Sequence, residues 1–238
     1  MRKHVLITGG TGGIGSALVR AFAEKGYAVS FTYNSSSDAS MLAEETRATA
    51  FSVDFENVGS LLSFSEKLIR EVGGVDVLIN NAGVAHYGLI QDVTPDDFHR
   101  LFSVNFEAPF FLTRSFVPSM IARQNGTVIN IGSVWGETGA SCEVLYSATK
   151  GAMLAFTKAL AKELAPSGIA VNCISPGVVD AGMMSRFSKE EKELIAQDIP
   201  SGAFVDPAEI AKLALYLAEN SSVSLTGQVL GVNGGMYC

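Results

Sequence analysis

The sequence has few cysteines, little charge and no long apolar run. Its three cysteines lie far apart, at Cys142, Cys173 and Cys238, and an odd number without metal-ligand spacing argues against both a disulfide framework and a metal site. No apolar stretch reaches the ~18 residues that a membrane helix requires. No signal-peptide pattern precedes the apolar run that begins at Val5. We therefore expect a reduced, cytoplasmic protein without a membrane segment.

The charge balance is acidic. The 238 residues include 17 Lys and Arg against 24 Asp and Glu, a formal net charge of −7 at pH 7. Proteins that bind nucleic acid neutralise phosphates with basic side chains, so nucleic acid is not expected as a main partner. Hydrophobic residues make up 47% and charged residues 17% of the chain, which argues against disorder. A chain of this length suits one α/β domain with a full core.

Predicted strands and helices alternate along the chain, which is the pattern of a parallel sheet with helices on both faces. Strands are predicted at Val5–Thr8, Tyr27–Tyr33, Ala50–Val53, Val75–Asn80, Thr127–Gly132, Ala170–Ile174 and Gln228–Val232. Helices are predicted at Gly13–Lys25, Ala39–Thr46, Val58–Val72, Thr94–Ala122, Leu145–Ala165 and Pro207–Leu217, with a polar insertion near Asp180–Pro200. No repeat or linker interrupts them. Residues 1–238 are therefore predicted to form a single doubly wound Rossmann-type domain with a seven-stranded parallel sheet.

Tyr146 and Lys150 are four residues apart on a predicted helix, which places them on one face about one turn apart. A phenol with a pKa near ~10 is a weak acid at neutral pH, but a neighbouring cation stabilises the phenolate and lowers that pKa. Ser133, thirteen residues upstream, adds a hydroxyl that can hold a reacting oxygen. A lone Tyr-x-x-x-Lys is more often an ordinary helix surface. Together with Ser133 and a glycine-rich turn, the pair predicts proton transfer to a carbonyl oxygen.

The glycine-rich turn is Thr8–Gly15, which joins the first predicted strand to the first helix. Glycines let the backbone approach a pyrophosphate, and the helix N-terminus offers N–H groups and the positive end of the helix dipole. A glycine-rich turn alone is weak evidence, but this position indicates a dinucleotide site, from which a nicotinamide would supply a hydride. The candidate contacts are Gly9, Gly10, Thr11, Gly12, Gly13 and Ile14.

The residues after the second strand discriminate between NAD and NADP. An acid there binds the ribose 2′-hydroxyl of NAD, whereas this chain continues as Asn34-Ser35-Ser36-Ser37, with no acid before Asp38. A 2′-phosphate would not be repelled, and the Asn34 amide and the serine hydroxyls can donate to it. This run contains no arginine that could bind the phosphate. The sequence therefore favours NADP(H) over NAD(H).

These motifs together resemble the short-chain dehydrogenase/reductase family over the whole chain. The resemblance rests on Thr8-Gly9-x-x-x-Gly13-x-Gly15, Asn80-Asn81-Ala82-Gly83, Asn105, Ser133, Tyr146-x-x-x-Lys150 and Pro176-Gly177. It implies that Tyr146 donates the proton and that Ser133 positions the substrate carbonyl. It also implies that Lys150 binds the nicotinamide ribose and that Asn105 holds a water linking this lysine to solvent. Further cofactor contacts implied by the resemblance are Asp54, Phe55, Asn81, Ala82, Gly83 and Val179.

Within the family the chain is similar to the 3-oxoacyl-carrier-protein reductases, but it departs from them at several positions. Gly12 replaces an arginine that usually binds NADP, and Ala181 replaces a threonine that commonly contacts the carboxamide. Gln124 and Ser167 align with two arginines that dock the acidic carrier protein, and Arg123 is a candidate to substitute for one of them. An acidic enzyme without those cations is a less obvious partner for an acidic carrier.

The loop between Ser133 and Tyr146 is most similar to that of the elongation factor P 5-aminopentanone reductases. Its two acids, Glu137 and Glu143, would favour a cationic, amine-bearing substrate, unless both are solvated or only hold the loop. Trp135 is either a pocket wall or an oligomer contact. The candidate substrates are thus an aminopentanone group on elongation factor P, or an acyl thioester on a carrier protein.

Two further expectations concern the class of protein and its assembly. The fold also serves non-catalytic dinucleotide sensors, although a sensor has no need of the proton relay of Asn105, Ser133, Tyr146 and Lys150. The predicted helix 145–165 is apolar on more than one face, and such a helix is usually buried on several sides. Related enzymes pair through this helix, so a homotetramer, or at least a dimer, is expected.

Overall fold

The fold is a seven-stranded parallel sheet, as predicted. The computed structural model describes residues 2–36, 38–181 and 188–238. The strands are β1 His4–Ile7, β2 Ala28–Tyr33, β3 Thr49–Ser52, β4 Val77–Asn80, β5 Gly126–Ile131, β6 Ile169–Pro176 and β7 Val229–Val232. They pair in the order β3-β2-β1-β4-β5-β6-β7, and every pairing is parallel.

Helices cover both faces of this sheet. Over the described ranges they are α1 Gly13–Glu24, α2 Ala39–Thr46, α3 Val58–Val72, α4 Pro95–Phe102, α5 Ala108–Arg123, α6 Val134–Thr138, α7 Val144–Leu164, α8 Lys189–Gln197 and α9 Pro207–Glu219. Successive strand side chains point to opposite faces. In β1, Val5 and Ile7 therefore pack with α1 and α9, whereas Leu6 packs with α3 and α5. Burial on both faces explains why the strands are continuous apolar runs. In the part of the chain that the structure describes, no helix combines the length and apolarity needed to cross a membrane.

The strand order reverses between β1 and β4, and such a switch point opens a crevice at the carboxyl ends of the two strands. Thr8 ties these ends together. Its hydroxyl oxygen accepts hydrogen bonds from the backbone N–H groups of Asn81 and Ala82, both at 2.9 Å. The Asn81 side chain returns a bond to the Thr8 carbonyl at 2.8 Å. The glycine-rich turn and the Asn80–Gly83 segment are thus held against each other at the crevice.

The helical region predicted at Thr94–Ala122 is helical throughout, but it is not an α-helix throughout. Thr94 caps α4 with a capping box shared with Asp97, but α4 ends at Phe102 and a π-helical turn, Ser103–Glu107, separates it from α5. A π turn widens a helix by one residue and often occurs at functional sites. Here it contains Asn105, which is completely buried.

The segment predicted as a polar insertion contains a helix, α8. Ser188 and Glu191 form a capping box at its start, because each side chain accepts a hydrogen bond from the other's backbone N–H. The Ser-x-x-Glu spacing is a helix-start signal that the polar composition obscured. Residues 182–187 of the predicted insertion lie outside the described residues. Helix α6, which has five residues, was also not predicted.

Candidate active site

A cavity of about 580 Å³ opens at the carboxyl ends of the strands, a size suited to a small molecule or cofactor. The predicted site residues in its wall are Gly9, Thr11, Gly12, Gly13, Ile14, Asn34, Asp54, Phe55, Asn81, Ala82, Gly83, Ser133, Tyr146, Lys150 and Val179. Gly10 and Asn105 are not in the wall. A β-carbon at Gly10 would lie 2.5 Å from the Phe31 ring, so this glycine lets the turn pack against β2. Residues far apart in the sequence therefore meet in one place.

The glycine-rich turn is shaped by close backbone contacts. Gly9 has a φ of +66°, and a β-carbon there would lie 2.9 Å from Cα of Ala82. A β-carbon at Gly15 would overlap the carbonyl oxygen of Gly9. Helix α1 begins at Gly13 without a side-chain cap, and its first N–H groups have no partner within the helix. A helix N-terminus of this kind, opening into a cavity, is suited to bind an anion such as pyrophosphate.

Asn34 is the polar residue of the Asn34–Ser37 run that reaches the cavity wall. Asp38, the first acid after β2, is outside the described wall and precedes α2. Its backbone N–H donates to the Ser36 hydroxyl at 3.2 Å. Ser37 lies outside the described residues. Within the described part of this loop, the group offered to a ligand is therefore an amide rather than a carboxylate.

Asn105 lies behind the cavity wall and supports it through hydrogen bonds. Its side-chain oxygen accepts from the Val84 N–H at 2.8 Å, and its side-chain nitrogen donates to the Val84 carbonyl at 2.9 Å. The same nitrogen donates to the Thr149 hydroxyl on α7 at 3.1 Å. A β-carbon at Gly83 would lie 3.3 Å from the Asn105 oxygen and 3.5 Å from Nζ of Lys150. The π turn thus connects the loop after β4 to the helix that carries Tyr146.

Tyr146 and Lys150 lie on α7, and both are buried, with 8% and 4% of their surfaces exposed. Burial raises the pKa of Tyr146 to about 12, although a hydrogen bond with the Ser133 side chain opposes the rise and the nearby Glu143 adds to it. Burial lowers the pKa of Lys150 to about 8, and the Cys173 thiol opposes that change. The expected lowering of the tyrosine pKa by Lys150 is wrong for this structure. The lysine ammonium donates to the Ile131 carbonyl at 2.9 Å, and desolvation dominates.

The two glutamates of the Ser133–Tyr146 loop have different surroundings in the structure. Glu143 directly precedes α7, lines the cavity and lies close enough to Tyr146 to raise its pKa. Glu137 is outside the wall, and its carboxylate accepts a hydrogen bond of 2.5 Å from the Ser175 hydroxyl. Trp135 is part of the cavity wall. Glu143 therefore faces the cavity, whereas the Glu137 carboxylate is bound by Ser175.

The two positions that align with carrier-docking arginines lie near the amino ends of the strands, whereas the cavity opens at the carboxyl ends. Gln124 ends α5, and Ser167 lies in the 3₁₀ turn Ala165–Ser167, next to the amino ends of β5 and β6. The guanidinium of Arg123 donates to the Val75 carbonyl at 2.7 Å and to the Gly73 carbonyl at 3.4 Å. The Arg123 guanidinium is thus already bound to backbone carbonyls before β4, which weakens the interpretation that it substitutes for a docking arginine.

The cavity wall also contains residues that were not predicted from the sequence. Tyr87 is 64% exposed and follows β4. Ligands bind at the carboxyl ends of the strands in sheets of this kind, so this position could have been predicted. Ile195 is an apolar residue of α8, a helix made mostly of charged and polar residues. Arg100 and Glu56 form an ion pair of 3.3 Å, and both line the cavity. No spacing in the sequence links Arg100 to Glu56, because the pair joins α4 to the loop after β3.

Comparisons with known proteins agree with this geometry. The sequence model of the family described as short chain dehydrogenase matches residues 3–192. An uncharacterized oxidoreductase of Bacillus subtilis (strain 168), YmfI, is 42% identical over 242 residues, covering 100% of both chains. The structure of a single-residue variant of actinorhodin polyketide ketoreductase with NADPH superposes with a TM-score of 0.93 at 29% identity, covering 99% of this chain and 97% of that one. A 3-ketoacyl-(acyl-carrier-protein) reductase of Brucella melitensis complexed with NADH gives a TM-score of 0.90 at 29% identity, covering 98% of each chain.

Proposed function

Since this chain belongs to the short-chain dehydrogenase/reductase family and is an NAD(P)H-dependent oxidoreductase, we propose that it reduces a ketone to an alcohol with NADPH. The observation that carries the proposal is that Ser133 and Tyr146 both line the cavity, with the Ser133 side chain close enough to lower the pKa of Tyr146 against the effect of burial. Lys150 lies one helical turn further on. A carbonyl oxygen placed between the two hydroxyls would accept from both.

The protein's contribution is to polarise the carbonyl and to supply a proton. The Ser133 hydroxyl holds the carbonyl oxygen, and Tyr146 donates its proton to that oxygen as the hydride reaches the carbon. A pKa of about 12 keeps Tyr146 protonated, and so ready to donate, at neutral pH. The Lys150 ammonium stabilises the phenolate that remains, and a proton from solvent restores the phenol. When bound, the nicotinamide supplies the hydride.

The residues present fit a nicotinamide dinucleotide. The N-terminus of α1, with its uncapped N–H groups, would hold the pyrophosphate. The adenine would lie beside Asp54 and Phe55, and the ribose and nicotinamide would follow the wall past Ala82 and Gly83. Gly83 fits a close approach of this kind, because a side chain there would crowd Asn105 and Lys150.

The preference for NADPH rests on the loop after β2. Asn34 lines the cavity where an NAD-specific enzyme would have an acid, and its amide can donate to a 2′-phosphate. The two similar solved reductases hold NADPH in one case and NADH in the other. Since no arginine occurs in Asn34–Ser37, we propose a modest preference.

The proposed substrate carries a cationic amine, and the candidate is the 5-aminopentanone group on elongation factor P. Glu143 supports this because it lines the cavity close to Tyr146. A carboxylate there attracts an ammonium and opposes an anionic substrate. Trp135 and Tyr87 add aromatic surface to the same cavity.

The alternative is reduction of a 3-oxoacyl thioester on acyl carrier protein, the substrate class named for the similar Brucella reductase. Gln124 and Ser167 supply no cation for an acidic carrier, and Arg123 already binds backbone carbonyls. The formal net charge of −7 adds like-charge repulsion, which slows association. These features favour the amine-bearing substrate.

A direct comparison tests the substrate. Turnover of elongation factor P bearing 5-aminopentanone is measured beside turnover of an acetoacetyl thioester, with NADPH oxidation as the signal. We expect higher kcat/KM on elongation factor P, and Glu143→Gln should reduce it more than it reduces kcat/KM for a small neutral ketone. Glu163→Gln, an exposed acid at the far end of α7, is the charge-matched control and should change neither. Higher kcat/KM on the acyl-carrier substrate would assign the enzyme to fatty-acid synthesis, and no ketone-dependent oxidation at all would indicate a dinucleotide sensor.

We also propose that the enzyme is a homotetramer. An aromatic cluster on the outer side of α5 and α7 contains Phe106, Phe110 and Phe156, with ring centroids 5.6 to 6.3 Å apart. Phe110 remains 41% exposed, and Val144 at the start of α7 is 47% exposed. An apolar surface of this kind fits a second copy of the chain.

A further inference from the structure

The helix α6, Val134–Thr138, is too short to be stable alone. One helical turn closes few backbone hydrogen bonds, so such a segment depends on tertiary contacts. Ser133 is its N-cap, and the Ser133 side-chain oxygen accepts from the Trp135 N–H at 3.2 Å. Any displacement of α6 would therefore move the Ser133 hydroxyl, which the proposed function places on the substrate carbonyl.

On one side, helix α6 packs closely against α7. A β-carbon at Gly136 would lie 2.8 Å from the carbonyl carbon and 2.9 Å from Cβ of Lys150. Only a glycine therefore lets α6 approach the backbone of the catalytic helix so closely. This contact limits how near α6 comes to α7, and the Ala140 N–H, just after α6, donates to the Ser147 hydroxyl of α7 at 3.1 Å, but neither contact ties α6 to the sheet.

The bond between Glu137 and Ser175 fixes the other side. Glu137 is four residues after Ser133, one helical turn away, and its carboxylate accepts from the Ser175 hydroxyl at 2.5 Å. Ser175 is completely buried near the carboxyl end of β6, directly before Pro176 and Gly177 of the cavity wall. A hydroxyl-to-carboxylate bond of this length is charge-assisted and stronger than a neutral hydrogen bond. It anchors a one-turn helix to the rigid sheet.

We propose that Glu137 is a positioning residue, which holds α6 against β6 and thereby sets the position of the Ser133 hydroxyl relative to Tyr146. This inference rests on the proposed ketone reduction and adds a residue to it. Without Glu137 the Ser175 hydroxyl loses its acceptor in a buried place, and the short helix is then free to shift. A displacement of about 1 Å at a reacting group can reduce the rate about a hundredfold.

The kinetic test compares Glu137→Ala, Glu137→Gln and Ser175→Ala for reduction of a small neutral ketone. Thr138→Ala is the matched control, because it removes a side-chain bond within α6 to the Val134 carbonyl but leaves the bond to β6. We expect Glu137→Ala and Ser175→Ala to lower kcat/KM about tenfold to a hundredfold, with an unchanged Kd for NADPH. Glu137→Gln, which keeps an acceptor oxygen, should recover most of the loss, and Thr138→Ala should resemble wild type.

A double-mutant cycle separates positioning from general destabilisation. If Glu137 acts through Ser133, then Glu137→Ala should cost less than about twofold in a Ser133→Ala background, since residues that act as a unit are not additive. The same factor in both backgrounds would overturn the proposal. Equal kcat/KM for wild type, Glu137→Ala and Ser175→Ala would also overturn it.

An independent measurement does not need turnover. Trp135 is the single tryptophan of the chain and lies on α6, so its fluorescence reports on this helix directly. Glu137→Ala and Ser175→Ala should make Trp135 more accessible to acrylamide quenching, and Thr138→Ala should not. If wild type reduced no ketone, the proposed function would fail, while quenching would still test the anchor. Equal quenching in wild type and Glu137→Ala would then show that Glu137 does not hold α6.

Discussion

The ammonium nitrogen of Lys150 lies 5.7 Å from the ring centroid of Tyr146. It is above the ring of the phenol and donates to the Ile131 carbonyl. The lysine is therefore positioned to respond to a charge that develops on Tyr146, while burial keeps the tyrosine protonated until then. The Ser133 side chain completes the arrangement, because it lies close enough to Tyr146 to oppose the rise in its pKa.

Replacing Tyr146 by phenylalanine should remove the proton donor and leave the fold and the cofactor site intact. General acid catalysis is typically worth ~10²–10⁴-fold, so ketone reduction should slow by at least this factor. The Kd for NADPH, from fluorescence titration, should change little. Tyr216→Phe, at a site 55% exposed on α9, is the control and should retain full activity. Near-normal turnover by Tyr146→Phe would rule out the assigned role.

The rate should fall as the pH rises through about 8. The pKa of Lys150 is lowered to about 8, so the ammonium is present below this pH and lost above it. The phenolate left by proton donation then loses its stabilising cation. Because kcat/KM reports ionisations of the free enzyme, its pH profile for ketone reduction is the measurement, with circular dichroism showing that the protein stays folded. A flat profile through this pH would contradict the role of Lys150.

Asn34→Asp should shift the cofactor preference from NADPH towards NADH. A carboxylate in the cavity wall after β2 repels a 2′-phosphate and accepts from a 2′-hydroxyl. A change of about tenfold in the ratio of Kd values corresponds to ~1.4 kcal/mol. Asn220→Asp, an exposed site at the end of α9, introduces the same charge elsewhere and should leave the ratio unchanged. Tighter binding of NADH by wild type would show that the proposed preference is wrong.

Gly15→Ala should weaken the binding of NADPH and lower the melting temperature. The new methyl group would overlap the Gly9 carbonyl, so the turn before α1 must move. Overpacking of this kind typically costs ~1–3 kcal/mol. Gly12→Ala is the packing control in the same turn for the melting temperature, since its β-carbon would lie 3.4 Å from the same oxygen, which is ordinary contact. Equal melting temperatures for the two variants would refute this explanation of the turn.

Phe156→Glu should dissociate the proposed tetramer. The substitution places a charge among the aromatic rings of α5 and α7, at the surface proposed to contact a second copy. Sedimentation at micromolar concentration should give a multiple of 25.1 kDa for wild type and a smaller species for the variant. Met41→Glu alters an apolar residue that is 65% exposed on α2 and should leave the assembly unchanged. A wild-type mass of one chain would eliminate the tetramer.

Local signals in the sequence were sufficient for all seven strands, for the longer helices and for much of the cavity, but not for α6 and α8. Continuous apolar runs identify buried strands, and the glycines before α1 mark a turn that other residues would strain, because Gly9 has a positive φ. Tyr146 and Lys150 share a helix face by spacing alone. These properties depend on neighbours within about one turn of helix, so they can be read without knowing the fold.

Tertiary packing decided the rest, because desolvation and long-range hydrogen bonds depend on what surrounds a group. Burial reversed the expected change in the Tyr146 pKa. The π turn around Asn105 brings its side chain to the backbone of Val84 and interrupts the α-helical hydrogen bonding of a helix that reads as regular by pattern. The sequence alone established that two acids lie in the loop between Ser133 and Tyr146. Only the folded chain places Glu143 in the cavity and Glu137 on Ser175, since Ser175 is 38 residues further along the chain, on β6.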